Sequence, residues 1–209
     1  MIKEQRRLLV ATHNKGKIGE YADILGDSGI EWLTLDDVGI THDVAETGTT
    51  FRENAILKAE AYAQQAGLLT LADDSGLAVD ALDGRPGVLT ARFGGPGLSA
   101  AERYQLLLAH LDGVPMPQRT ARFRCVIALA APDGTILGTT EGVCEGVIAL
   151  QPAGDGGFGY DPVFFLPERG LTMAQLPATE KHRLSHRGRA TQAIAPLLRR
   201  ALGEMTSGG

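Results

Sequence analysis

The chain has 209 residues, with 20 Lys+Arg against 25 Asp+Glu, a formal charge of −5 and a pI near 5.5. A net anion attracts neither nucleic acid nor an anionic membrane surface, and no apolar run approaches the ~20 residues of a membrane span. Apolar residues at 44% and charged residues at 22% are ordinary for a globular protein, so residues 1–205 are expected to fold as one domain, with 206–209 as a flexible tail. The basic opening segment lacks a cleavage site and does not read as a signal peptide. Cys125 and Cys144, far apart in apolar text, read as buried core residues of a cytoplasmic protein.

Leu8–Thr12 is a short apolar run that stops at the turn-like stretch Thr12-His-Asn-Lys-Gly-Lys17. Ile18, Tyr21, Ala22 and Leu25 then recur at helical spacing, which predicts a helix ending near Gly26 or Gly29. Thr50-Phe-Arg-Glu53 is a capping box and Gly67 a natural stop. Between them Phe51, Ala55, Ala59, Tyr62 and Ala66 share one helical face, with Asn54 and Lys58 neighbours at its edge. Leu68–Ala72 reads as a buried strand entering Asp73-Asp-Ser-Gly76, and Leu77–Leu82 as extended chain. Asp83–Leu98 is a Gly/Pro-rich loop, and Ser99-Ala-Ala-Glu102 caps a helix to about Leu111. Thr120–Ala131 and Thr135–Leu150 form a hairpin about Pro132-Asp-Gly134. Gln151–Gly159 is glycine-rich, Val163–Leu166 a short strand, and Arg189–Leu202 a helix that Pro196 should kink or break. The fold class is α/β with a mixed sheet.

Four segments could carry chemistry. Thr12, His13, Asn14, Lys15, Gly16 and Lys17 link a strand to a helix, where free N–H groups and two lysines suit a phosphate. They equally make an ordinary turn with solvated lysines, and the Walker spacing is absent. Asp73 and Asp74 end a buried strand, and side-chain alternation keeps them from facing one site, so one is structural and the other catalytic, unless both merely cap a turn. Gly76 would permit a sharp reversal that leaves Ser75 at a pocket mouth. Gly154-Asp-Gly-Gly-Phe-Gly159 matches G-x-G-x-x-G formally, but a strand rather than a helix follows, which rejects a dinucleotide fold. It reads as a plain loop, or as a wall where Phe158 and Tyr160 meet a planar base. Lys181, His186 and Arg187 belong to a basic cluster suited to phosphates or a base edge, or forming a solvated helix face.

In order, Thr12-His-Asn-Lys-Gly-Lys17, Thr47-Gly-x-Thr-Phe-x-Glu-Asn-Ala-x-Leu-Lys-Ala59 and Ala72-Asp-Asp-Ser-Gly-Leu-x-Val-Asp-Ala-Leu-x-Gly84 are followed by Pro86-Gly-Val-x-x-Ala-Arg92, Gly157-Phe-Gly-Tyr-Asp-Pro-x-Phe164 and Ser185-His-Arg187. This series resembles the inosine/xanthosine triphosphate pyrophosphatase (Ham1-like) family over nearly the whole chain. The resemblance implies an elongated mixed sheet flanked by helices, two lobes with a central cleft, and a homodimer. It implies Mg²⁺-dependent hydrolysis of ITP, dITP and XTP to the monophosphate and pyrophosphate. Residue by residue, Asp74 looks like general base and metal ligand, and Thr12, Asn14, Lys17 and Lys58 like triphosphate contacts. Ser75, Phe158, Gly159, Tyr160, Asp161, Lys181, His186 and Arg187 look like substrate contacts. Many relatives carry two acidic residues before Thr-Gly; here the first is Ala45, and Glu46 alone remains for the metal. The position after Lys181 is often Asn in relatives and is His182 here. The rival readings are a pyrophosphatase for dTTP, UTP or modified pyrimidines, and a nucleotide-binding protein without catalysis.

Overall fold

The structure is a computed structural model that describes residues 7–25 and 30–205. The expected end of the first helix at Gly26 or Gly29 and the tail at 206–209 lie outside the described residues. Seven described strands hydrogen-bond in the order β2-β1-β3-β4-β5-β6-β7. They are β1 Arg7–Val10, β2 Glu31–Thr34, β3 Thr70–Val79, β4 Thr120–Ala130, β5 Ile136–Ile148, β6 Phe164–Leu166 and β7 Leu171–Thr172. β1 runs parallel to β2 and β3, whereas β6 is antiparallel to β5 and β7, so the sheet is mixed. The described helices are α1 Lys15–Leu25, α2 Phe51–Ala66, α3 Ala100–His110, α4 Ala178–Leu184 and α5 His186–Met205. None of them is long and apolar enough to cross a membrane.

The chain divides into two compact units. The first comprises Met1–Asp74, Cys125–Gly142 and Arg189–Gly209; the second comprises Ser75–Arg124 and Val143–Gly188. In the first, Leu8, Val10 and Leu71 of the strands pack with Ile127, Ile194 and Leu198. α2 forms because Thr50 caps the Glu53 N–H while the Glu53 carboxylate returns to the Thr50 N–H, and Gly67 closes it in the left-handed conformation. Its buried face is Phe51, Asn54, Ala55, Ala59, Tyr62 and Ala63, with Ala63 taking the place expected of Ala66. In α1, Tyr21 is buried as expected but Ala22 is exposed, and Glu20 is buried instead.

In the second unit Leu77, Leu107, Phe123, Val163, Phe164 and Met173 form the core, with the Phe123 and Phe164 rings 4.4 Å apart. Buried Arg119 donates to the carbonyls of Leu111, Val114 and Ala149, tying the end of α3 to the residue that follows β5. Both cysteines are buried, as expected, and neither forms a disulfide.

Three expectations fail. β3 passes straight through Gly76 instead of reversing there, because Leu77 is buried and its N–H is taken by the Thr90 hydroxyl at 2.8 Å. The chain turns later, at Asp80–Leu82 and the left-handed Asp83. α5 begins at His186 and contains Pro196 without breaking, since Ala190, Ile194, Leu198 and Leu202 hold both halves in one core. Within Asp83–Leu98, Gly87–Arg92 coils into 3-10 turns. The sequence reading also lacks β2 and α4, whose pairing and packing come from distant segments.

Candidate active site

Two clusters of polar side chains stand out, one in each unit. In the first, β3 alternation separates the paired aspartates. Asp73, almost fully buried, accepts from the Lys17 ammonium at 2.8 Å and faces the Cys125 thiol at 3.6 Å. Asp74 accepts from Asn54 Nδ2 at 3.0 Å through Oδ2, and its Oδ1 lies 3.5 Å from the Lys58 ammonium. Lys58 reaches Glu46 more closely, at 2.7 Å. Asn54 and Lys58 stand one turn apart on α2, so a single helix face presents an amide and an ammonium to one carboxylate.

Burial opposes the Lys58 charge, but the carboxylates of Asp74, Asp73 and Glu46 outweigh it and hold its pKa above the ordinary lysine value. Burial pushes the Asp74 carboxyl above the usual aspartate range, and Lys58 and Asn54 offset this only in part. The two directions agree physically: one ammonium gains from several carboxylates, while each carboxylate has only a share of it. Asp74 is thus a buried carboxylate of raised proton affinity beside a fixed cation, the environment in which general bases are found.

The strand-to-helix turn supplies Lys17. Asn14 caps α1, its Oδ1 accepting the Lys17 N–H at 3.1 Å, and Thr12 Oγ1 accepts the Asn14 N–H at 3.2 Å. Lys15 is exposed, Gly16 is half-buried, and His13 lies 3.8 Å from both Asp36 and Asp43. Of this turn, the structure brings Lys17 alone into the buried acidic cluster, through Asp73. Ala45 is exposed, and Glu46 beside it is the residue that reaches Lys58.

In the second unit Lys181, His186 and Arg187 are buried, so the solvated-face alternative does not hold for them; Arg183 alone of that run is exposed. Lys181 pairs with Asp161 at 2.6 Å and sits 5.0 Å from the Phe158 ring centre, with the Arg187 guanidinium at 5.8 Å. Asp161 also accepts the Phe158 N–H at 2.7 Å. A Cβ on Gly157 would lie 2.1 Å from that same carboxylate, in a backbone conformation only glycine adopts freely, which accounts for the glycine before Phe158. Arg187 donates to the Ser75 hydroxyl at 2.9 Å. His186 stacks on Phe123 at 4.7 Å, so its ring is part of the core as well as of the cluster. Tyr160 is anchored away from chemistry: its hydroxyl donates to the Thr90 carbonyl, and burial raises its pKa. Gly159 adjoins the cluster without a side chain to contribute. Asn54 is the residue that the sequence reading leaves without a role; its place beside Lys58 at helical spacing was the available signal.

Among the described residues no group of three or more His, Cys, Asp or Glu is arranged to hold a metal ion. The oxygens that do converge are those of Asp74 and Glu46, both within 3.5 Å of one ammonium.

The sequence pattern of the Ham1 family matches residues 8–197. The dITP/XTP pyrophosphatase of Geobacillus kaustophilus is 52% identical over 185 residues, 88% of this chain and 90% of the relative. That of Desulforamulus reducens is 48% identical over 194 residues, 93% and 96% of the two chains. The solved structure of a HAM1 protein from Coxiella burnetii superposes with a TM-score of 0.83 at 40% identity, covering 93% of this chain and 98% of that one. With its six ordered motifs, its mixed α/β sheet and a match over nearly its whole length, the chain belongs to the Ham1 family.

Proposed function

We propose that this chain is a nucleoside-triphosphate pyrophosphatase that hydrolyses dITP, ITP and XTP to the monophosphate and pyrophosphate. The relatives named dITP/XTP pyrophosphatase support the activity. The observation that carries the chemistry is Asp74, buried, bonded by Asn54 and set beside Lys58. In this reading Asp74 accepts a proton from water as the water oxygen bonds to the α-phosphorus. The bridging P–O bond to the β-phosphate breaks, and pyrophosphate leaves with the electron pair. Lys17 and Lys58 bind the phosphates, which carry about four negative charges between them.

The donor set fits Mg²⁺. This ion prefers hard oxygens and is commonly held by about one or two carboxylates together with substrate phosphates, and Asp74 and Glu46 offer that pair. When bound, a divalent cation would neutralise charge developing on the phosphates.

The second unit's cluster supplies the base contacts in this proposal. Hypoxanthine and xanthine offer a 6-oxo acceptor where adenine offers a donor. Lys181, His186 and Arg187 bring donors, and Phe158 an aromatic face. A site that rewards the acceptor leaves adenine with opposed donors, a penalty of about 1–3 kcal/mol. A homodimer acting in the cytoplasm is part of the same proposal.

Pyrophosphate release from dITP, XTP, GTP, ATP and dTTP, with and without Mg²⁺, tests the reading. Turnover of dITP and XTP with Mg²⁺ is expected, and loss of it in Asp74→Asn. Preference for dTTP would favour the pyrimidine enzyme; tight binding of inosine nucleotides with no product would favour a binding protein. In ¹⁸O-labelled water the label should enter the monophosphate, and label confined to pyrophosphate would overturn the α-phosphorus attack.

A further inference from the structure

Asn54 is buried in the first turn of α2, and both ends of its amide are used. Nδ2 donates to Asp74 Oδ2 at 3.0 Å, and Oδ1 accepts the Gly48 N–H at 2.8 Å. The amide therefore joins two segments 26 residues apart in sequence, the middle of β3 and the loop that carries Glu46. Lys58, one turn on, repeats the link with charge, touching Asp74 and Glu46. Gly48 leaves no room for a side chain: a Cβ there would lie 2.6 Å from the Glu53 Cβ and 2.7 Å from Asn54 Oδ1. Glu53 holds the rest of the loop, accepting from the N–H groups of Thr49 at 2.6 Å and Thr50 at 3.1 Å. The loop is thus seated on the start of α2 by two consecutive side chains, of which Asn54 alone also reaches Asp74.

We infer that Asn54 is a positioning residue for the hydrolytic step, an amide clamp that fixes the rotation of the Asp74 carboxylate and couples it to the Glu46 loop. The two oxygens of Asp74 are thereby made unequal: Oδ2 is committed to the amide, and Oδ1 faces the cation. No water or phosphate needs to touch Asn54 for this. The inference rests on the proposed role of Asp74, and its test separates the two.

Asn54→Ala removes both bonds, and Asn54→Asp keeps an acceptor for Gly48 while removing the donor to Asp74. With dITP and saturating Mg²⁺, Asn54→Ala is expected to lower kcat about 100-fold with little change in KM, as misplacement of a reacting group does. Amide exchange at Gly48, which involves no substrate or metal, should accelerate about tenfold in Asn54→Ala, the loss of one ordinary hydrogen bond. In Asn54→Asp the Gly48 amide should stay slow while kcat falls at least as far. Melting temperatures place all variants on one folding scale, and Asn54→Ser, smaller but still polar, stands in should Asn54→Ala not fold. Parental kcat in Asn54→Asp, or parental Gly48 exchange in Asn54→Ala, overturns the clamp. Parental turnover in Asp74→Asn overturns instead the reading beneath it, and Gly48 exchange still reports on the clamp in that event.

Discussion

Lys58 shows how one side chain can serve several carboxylates at once. Its ammonium lies against Glu46 and Asp74, and both are drawn from solvent by the fold around them. Replacing it with methionine keeps much of the volume and removes the charge, leaving two carboxylates close together without their shared cation. Lys58→Met is expected to cost about 3 kcal/mol at neutral pH, as breaking a buried ion pair does. The sign of its pH dependence follows from linkage. A lysine whose folded pKa is raised contributes its full stabilisation below the ordinary lysine value and loses it only as pH climbs through the folded value. At neutral pH the parent therefore retains all of it. The variant's deficit should narrow as pH falls and the carboxylates protonate. Denaturant melts of parent and variant across the acid-to-neutral range check this, and a deficit that widens toward acid contradicts it. The sequence already separated Asp73 from Asp74, because alternation along a strand is a local property. It could not tell which lysine served which carboxylate, since Lys17 and Lys58 reach them from helices 56 and 16 residues away.

Among the elements, α2 does the most to position the site, and it was the most legible. Its capping box, its apolar face and its closing glycine are all encoded within the helix itself, and all are observed. Thr50→Ala removes the acceptor for the Glu53 N–H and should cost about 1 kcal/mol. For a chain of this size that lowers the melting temperature by roughly 2–4 °C. Because Glu53 also holds the Thr49 N–H, the 47–50 loop should stay seated and kcat remain near the parental value. A large loss of activity without loss of stability would show that the cap, and not Asn54, holds the loop. β2 and α4 were illegible for the opposite reason. β2 is four residues long, half-buried, and defined by its register on β1; α4 is seven residues opened by Pro177 and held by the buried Lys181–Asp161 pair. Pro196 does not break α5, because the packing of the helix on its core overrides intrinsic propensity there.

On the scale of the whole molecule, neither compact unit is a continuous stretch of chain. The boundaries at 74/75, 124/125 and 142/143 fall within β3, β4 and β5, so each of these strands contributes residues to both units. A strand cannot lose its hydrogen-bonded neighbours along half its length without weakening the other half, which argues for one cooperative transition. The single tryptophan makes this testable, because Trp32 lies in β2 and reports on the first unit alone, whereas far-ultraviolet circular dichroism reports on the entire chain. Phe164→Ala empties part of the second unit's core, against Phe123, and should cost about 3–5 kcal/mol. Ile127→Ala does the same in the first unit, at about 2–5 kcal/mol. If residues 7–205 unfold as one domain, Phe164→Ala must shift the Trp32 fluorescence transition as far as it shifts the dichroism, though the mutation lies in the other unit. A parental fluorescence midpoint alongside a lowered dichroism midpoint would mean that the two cores melt separately, and the chain would then count as two domains sharing three strands.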